Sequence, residues 1–200
     1  MDSFSQYELT LIPPGTTLFC GVDEAGRGPL AGPVVAAAVI FPQDIILPGI
    51  NDSKVLSPEK RLILKGEITL KAIAWGIGTA SAWEIDEMNI LEASRLAMKR
   101  AVKELNPVPG FGLIDGYPVP DWDFPHEGVI KGDSKCFTIA AASILAKVHR
   151  DNIMVKMHEQ YPDYGFDRHK GYPTEAHRQA LKKHGPCKEH RMSFNLLGDS

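Results

Sequence analysis

Apolar residues fall along the chain in two kinds of pattern: short unbroken runs, and stripes at helical spacing. Leu18 to Asp23 and Val34 to Phe41 are runs closed by glycine or proline, and they predict buried strands. Further strands are expected over Ile73 to Thr79, Gly112 to Asp115 and His126 to Lys131. Ser57-Pro58-Glu59 opens a helix, with serine at the N-cap and proline at the first helical position. Leu91, Met98, Ala101, Val102 and Leu105 recur at helical spacing, so residues 89–105 predict an amphipathic helix that ends at Asn106-Pro107-Val108-Pro109-Gly110. A long helix is expected from Ser134 to Glu159. Its early residues Ala140, Ala141, Ala142, Ser143 and Ala146 are small enough to let it lie close on a sheet. A last helix spans Thr174 to Lys183, and the aromatic, basic stretch Tyr161 to Pro173 before it reads as a structured loop. Ile45 to Ser57 is loop-like. Residues 1–17, polar and ending in Pro13-Pro14-Gly15, read as a loose N-terminal arm ahead of one domain over 18–200. Strands alternating with helices indicate an α/β sandwich.

Composition narrows the class. A chain of 200 residues that is 44% hydrophobic can bury one sizeable core. The longest apolar run, Val34 to Phe41, has eight residues, too few to span a bilayer. No basic stretch followed by an apolar one stands at the N-terminus. Cys20, Cys136 and Cys187 are widely spaced with no CxxC pair, which favours reduced thiols and a cytoplasmic protein. The net charge of −3 does not advertise a nucleic-acid binder, yet it is unevenly spread. Residues 1–130 carry 10 Lys+Arg against 17 Asp+Glu, whereas residues 131–200 carry 12 against 8, with six of the seven histidines. A basic segment facing an acidic site could follow a phosphate backbone while the site holds cations. On charge alone, an uneven solvated surface explains the same numbers.

Three positions carry candidate chemistry. Asp23-Glu24 stands where an apolar run meets the glycine-rich turn Gly26-Arg27-Gly28. Neighbours in a regular strand point to opposite faces, so both carboxylates reach one site only if the backbone bends, which the glycines permit. Two such anions repel unless a cation lies between them, and hard oxygen donors select Mg²⁺ or Mn²⁺ over zinc. A bare Asp-Glu pair is more often a solvated turn. Asp115 follows a short apolar run, the place where α/β sheets put ligands, although Asp-Gly is also a common turn. Asp133 is the third, with the alternative that Asp133 or Ser134 caps the long helix. Acids at three element ends could converge on a cation pair of the kind that serves phosphodiester hydrolysis.

The motifs then become specific. Gly21-Val22-Asp23-Glu24-Ala25-Gly26-Arg27-Gly28-Pro29-Leu30-Ala31-Gly32-Pro33 resembles the opening signature of the ribonuclease HII family of type 2 ribonucleases H. Asn51-Asp52-Ser53-Lys54, Leu113-Ile114-Asp115-Gly116, Lys131-Gly132-Asp133-Ser134-Lys135, Ile139 to Lys147, and Tyr164-Gly165-Phe166 with His169-Lys170-Gly171-Tyr172 follow in the family's order, over about residues 18–195. Val55, Tyr117 and Cys136-Phe137-Thr138 depart from the family pattern. The resemblance implies an RNase H-like mixed five-stranded sheet flanked by helices, with a helical C-terminal part. It implies an endonuclease acting on the RNA strand of RNA–DNA hybrids and 5′ to ribonucleotides embedded in duplex DNA, leaving 3′-OH and 5′-phosphate ends. Four metal-binding, catalytic acids are implied at Asp23, Glu24, Asp115 and Asp133, serving Mn²⁺ or Mg²⁺. Gly26, Arg27, Gly28 and Tyr172 would read the ribose and its flanking phosphate, with Lys54 and Lys135 as further phosphate contacts. The protein is expected to act as a monomer, away from membranes.

Rival readings are another RNase H-like phosphotransferase, such as a transposase or junction resolvase, and a non-catalytic hybrid-binding module. A pure binder has no need for clustered acids that repel phosphate. Cys187, His184 and His190 are too few and too scattered to indicate zinc. His169 and Lys170 either face phosphate or pack under the Tyr164–Tyr172 loop. Trp75, Trp83 and Trp122 read as core or loop packing, and Arg178, Lys182 and Lys183 as a solvated helix face or, on the sharper reading, a contact to the DNA strand.

Overall fold

The computed structural model describes residues 3–42, 45, 47–50 and 56–198. One five-stranded sheet organises it. Strands β1 (Phe19–Ala25), β2 (Val34–Ile40) and β3 (Ala74–Ala80) form an antiparallel meander. Strand β4 (Phe111–Asp115) joins the other side of β1 in parallel, and β5 (His126–Val129) joins β4 in parallel, giving the order β3-β2-β1-β4-β5. The mixed five-stranded sheet that the family resemblance implied is present.

Every residue of β2 is buried, because helices cover both sheet faces. On one face Ala36, Ala38 and Ile40 share a core with Ala93, Ala97 and Ala101 of helix α4 (Ile90–Lys103). On the other, Ala37 and Val39 share a core with Ala141, Ala142 and Ile144 of α5 (Phe137–Gln160) and with Leu64 and Ile68 of α2 (Pro58–Lys71). This is the period-two alternation of a strand, made apolar on both sides by burial. Each fully buried Ile or Leu is worth about 1.5–3 kcal/mol over leaving it exposed. The small residues of α5 let it lie close on β1: a Cβ added at Gly21 would stand 2.2 Å from the Thr138 carbonyl carbon. The Ser57 N-cap of α2 and its proline at the first turn are as expected, with Ser57 Oγ accepting from the Lys60 amide.

Elsewhere the structure corrects the sequence reading. Residues Ser3–Leu11 form a helix, α1, not a loose arm. Its Glu8 is buried, and Glu8 Oε2 accepts from the Thr138 amide (3.0 Å) and hydroxyl (2.9 Å). Cys136, at the N-cap of α5, makes no side-chain cap bond, so Glu8 supplies the acceptor that the first turn of α5 requires. The long helix therefore starts at Phe137, and neither Asp133 nor Ser134 caps it; both lie in a separate 3-10 turn, Gly132–Ser134. A helix not expected from periodicity, α3 (Ala82–Met88), opens with a capping box between Ser81 and Glu84. The Tyr161–Pro173 stretch holds a 3-10 turn at Pro162–Tyr164 and a short helix α6 (Phe166–His169), followed by α7 (Glu175–His184). Trp83 (69% exposed) and Trp75 (43%) lie at the surface, not in the core, while Trp122 packs against Phe124. Leu91, placed on the apolar stripe of α4, is 44% exposed. Among the described residues no helix is long and apolar enough to cross a membrane.

Candidate active site

The parallel pairing of β1 with β4 decides where the acids go. Val22 stands opposite Ile114, so the next residues, Asp23 and Asp115, are level on adjacent strands and share the face covered by α5. Asp23 is 4% exposed; Ser143 of α5 hydrogen-bonds its carboxylate, and its Oδ1 accepts from the Glu24 amide at 2.7 Å. Asp115 Oδ1 accepts from the Gly132 amide at 2.7 Å, which ties the 3-10 turn to the end of β4. Glu24 points the other way by strand alternation but lines the same cavity. The β1–β2 ladder runs unbroken through Ala25, so the shared site does not come from a bend at Asp23-Glu24. It comes from the sheet stopping: β4 ends at Asp115 and leaves the tip of β1 without a parallel neighbour.

The cavity there measures about 250 Å³. Asp23, Glu24 and Asp115 line one part of it, the turn Ala25 to Gly28 another, and Ser143, Lys147 and Tyr172 the rest. Burial, reinforced by Glu24 and Asp115, pushes the Asp23 carboxyl well above its ordinary 3.8. Burial also raises Glu24, against the pull of Arg27, whose guanidinium is 3.4 Å from Glu24 Oε1. The other oxygen, Glu24 Oε2, is buried with no hydrogen-bond partner. Among the described residues no three acidic, histidine or cysteine side chains already stand as a ready metal cage. The donor chemistry nevertheless suits a hard divalent cation: three mutually repelling carboxylates share one cavity, and one buried oxygen lacks a donor.

Of the sequence-predicted residues, the structure brings together Asp23, Glu24, Asp115, Gly26, Arg27, Gly28 and Tyr172. Asp133 is 5% exposed in the 3-10 turn, one residue beyond the amide that holds Asp115, and it does not line the cavity. Lys135 is exposed on the flank of that turn, also off the lining, and Lys54 lies outside the described residues.

Sequence reasoning missed Lys147 on the lining and two arginines beneath the turn. Arg191 is fully buried and donates to the carbonyls of Gly26 (2.6 Å), Arg27 (2.9 Å) and Gly32 (2.8 and 3.0 Å). Arg150, equally buried, donates to the carbonyls of Ala31 (3.1 Å), Pro33 (3.0 Å) and Lys170 (3.0 Å). Burial lowers their pKa to about 9 and about 10 respectively, still above neutral, so both remain cations. Gly26 is fixed by this packing: its φ is +98°, and an added Cβ would stand 2.0 Å from Arg150 Nε. With the carbonyls of Gly26 and Arg27 drawn down onto the Arg191 guanidinium, the turn presents main-chain groups to the cavity at a set height. Nothing in local sequence marks an arginine in mid-helix or in a tail as buried.

Against known families, residues 20–197 match the model described as Ribonuclease HII. The chain belongs to the ribonuclease HII family. A ribonuclease HII of Chloroherpeton thalassium is 55% identical over 182 residues, 88% of this chain and 89% of that one. Among solved structures, the ribonuclease H2 of Pyrococcus horikoshii superposes with a TM-score of 0.75 at 26% identity, covering 90% of this chain and 95% of that one. The Archaeoglobus fulgidus RNase HII, solved in complex with PCNA, gives the same TM-score and identity over 92% and 98%. The sheet is thus of the RNase H-like kind. As a member of that family the protein is a hydrolase, a divalent-metal-dependent ribonuclease H endonuclease acting on RNA–DNA hybrids.

Proposed function

We propose that the cavity at the ends of β1 and β4 cleaves the phosphodiester bond 5′ to a ribonucleotide, including one embedded in duplex DNA, leaving 3′-OH and 5′-phosphate ends. The observation that carries this reading is the sharing of one cavity by Asp23, Glu24 and Asp115, the Gly26–Gly28 turn and Tyr172. Mn²⁺ or Mg²⁺ would be held by Asp23, Glu24 and Asp115. Asp133 would complete the set from the turn tied to Asp115. When bound, two such ions supply positive charge to both the attacking and the leaving oxygen of the phosphodiester.

The protein's own groups supply selection. Only a ribonucleotide offers a 2′-OH, and glycine lets a main chain approach it closely. Gly28 lies against the Tyr172 ring, since a Cβ there would be 3.9 Å from Tyr172 Cε1. A ribose lying along this pair on the cavity side would meet the main-chain polar groups of the turn and the Tyr172 ring together. Lys147 Nζ stands 5.8 Å from the centre of that ring and lies on the cavity lining, a place suited to a phosphate contact.

The test is a duplex with a single ribonucleotide, incubated with Mn²⁺ or Mg²⁺ beside an all-DNA control. One incision on the 5′ side of the ribonucleotide, with the control intact, is expected. Equal cutting of the two would reject the roles given to the turn and Tyr172.

A further inference from the structure

Behind Tyr172 the C-terminal part buries a line of histidines whose hydrogen bonds fix their tautomers. His177 on α7 and His190 are 0% and 2% exposed. The Tyr172 carbonyl can only accept, so His177 Nδ1, 3.0 Å away, carries the proton. A neutral His177 then has a bare Nε2, and it faces His190 Nε2 at 3.0 Å, so His190 carries its proton there. His190 Nδ1 is in turn bare and accepts from the Cys187 amide at 3.0 Å. A third ring, His169, stacks on His177 with centroids 4.4 Å apart. His169 Nδ1 accepts from the Gly171 amide (3.2 Å), and its Nε2–H donates to the Tyr164 carbonyl (2.8 Å). Gly171 and Tyr172 are thus held by neutral rings from two sides, and the Tyr172 amide donates to the His169 carbonyl at 2.9 Å.

We propose that His177 is a positioning residue for substrate selection: through the Tyr172 carbonyl it sets the Tyr172 ring opposite Gly28, with His190 fixing its tautomer and His169 bracing the preceding residue. This rests on the reading of Tyr172 as the ribose contact. His177 does not itself line the cavity, and it meets the lining through the Tyr172 carbonyl. The device works only while all three rings are neutral, because a second proton on His177 would face the bonded hydrogen of His190. The titratable and charged groups around it are His169 with its neighbours Asp167 and Lys170, Tyr164, Cys187, Glu189, His190 and Arg191. Burial is the main influence and holds His177 down to about 4. A protonated His190 would turn its Nδ1 to the Cys187 carbonyl, 3.3 Å away, and give up the amide it now accepts from.

Two substitutions separate the nitrogens. Asparagine mimics Nδ1, so His177→Asn keeps a donor for the Tyr172 carbonyl; glutamine mimics Nε2, so His177→Gln keeps contact with His190 and leaves that carbonyl without one. On a singly ribo-substituted duplex, His177→Gln is expected to raise KM about tenfold, the size of one lost buried hydrogen bond, with kcat little changed. His177→Asn should stay near the wild-type KM. Long-range ¹H–¹⁵N correlation spectra of the wild-type protein labelled at histidine read the same device without turnover. They should show Nδ1–H for His177 and Nε2–H for His169 and His190, persisting below the pH at which an exposed histidine titrates. The opposite tautomer at His177, or an unchanged KM in folded His177→Gln, would overturn the relay alone. Wild-type enzyme indifferent to the ribose would overturn the parent reading and the relay's role in it, whatever the tautomers.

Discussion

On one side of the Gly26–Gly28 turn stand Asp23, Glu24 and Asp115, crowded at the end of the sheet, with one buried carboxylate oxygen unpartnered. On the other side stand Arg150, Arg191 and His177, more deeply buried and fully engaged by main-chain carbonyls and a neighbouring ring. The acidic group costs stability when no cation is present, because like charges are held together out of water. The guanidinium and histidine group holds the turn and Tyr172 in place. Binding capacity thus lies where polar groups are left wanting, and rigidity where they are satisfied, which is the division expected of a preorganised site.

The largest expected effect lies on the acidic side. Asp23→Asn should cut hydrolysis by about a thousandfold or more, since it removes a charge from the heart of the cluster. The same change should stabilise the metal-free protein at neutral pH by about 1–2 kcal/mol. The folded-state pKa of Asp23 is raised above its ordinary 3.8, so the stability it allows is complete below that value and is lost as pH rises through the folded pKa. The melting-temperature gain of Asp23→Asn should therefore be present at pH 7.5 and fade toward pH 4. A gain that did not depend on pH would mean that repulsion is not its source.

Arg191→Met tests the other side. It strands carbonyls of Gly26, Arg27 and Gly32, and should cost about 3–5 kcal/mol in urea unfolding, with cleavage impaired although no acid is touched. Full stability in this variant would show that the turn holds itself. Glu8→Ala, remote from both clusters, removes the acceptor for the start of α5 and should cost about 1–2 kcal/mol with little change in kcat. The smallest effect is one of pH. Burial lowers His177 from an ordinary 6.5 to about 4, so between those values the unfolded chain binds more protons and stability falls as pH falls. Hydrogen-exchange protection of α7 should decline from pH 7 to pH 5, opposite in sign to the acidic side. Equal or rising protection would remove the contrast.

How much of this could be read from the residues follows from how local each signal is. The strands, α2 with its Ser57 cap and the apolar face of α4 were legible because periodicity and capping act over one or two turns. α3 was missed although Ser81 and Glu84 spell a capping box, because the helix is too short for a periodic stripe. α1 and the true start of α5 depend on Glu8 meeting Thr138, a contact across 130 residues that no window contains. At the site, Asp23, Glu24, Asp115, the turn and Tyr172 stood out as motifs. Lys147 closed one matched stretch but was given no role, and Arg150, Arg191 and His177 did not stand out, because a lone cation or histidine in a basic segment reads as solvated until the fold buries it.

The central claim, that the carboxylates at the tips of β1 and β4 form one cation site, is tested most directly by thermal melting of wild-type, Asp23→Asn and Asp115→Asn proteins across a Mn²⁺ titration. Ligand that binds only the folded state raises the melting temperature with concentration. The wild type should climb steadily while both variants stay flat. A parallel climb in all three would place the cation elsewhere and contradict the site described.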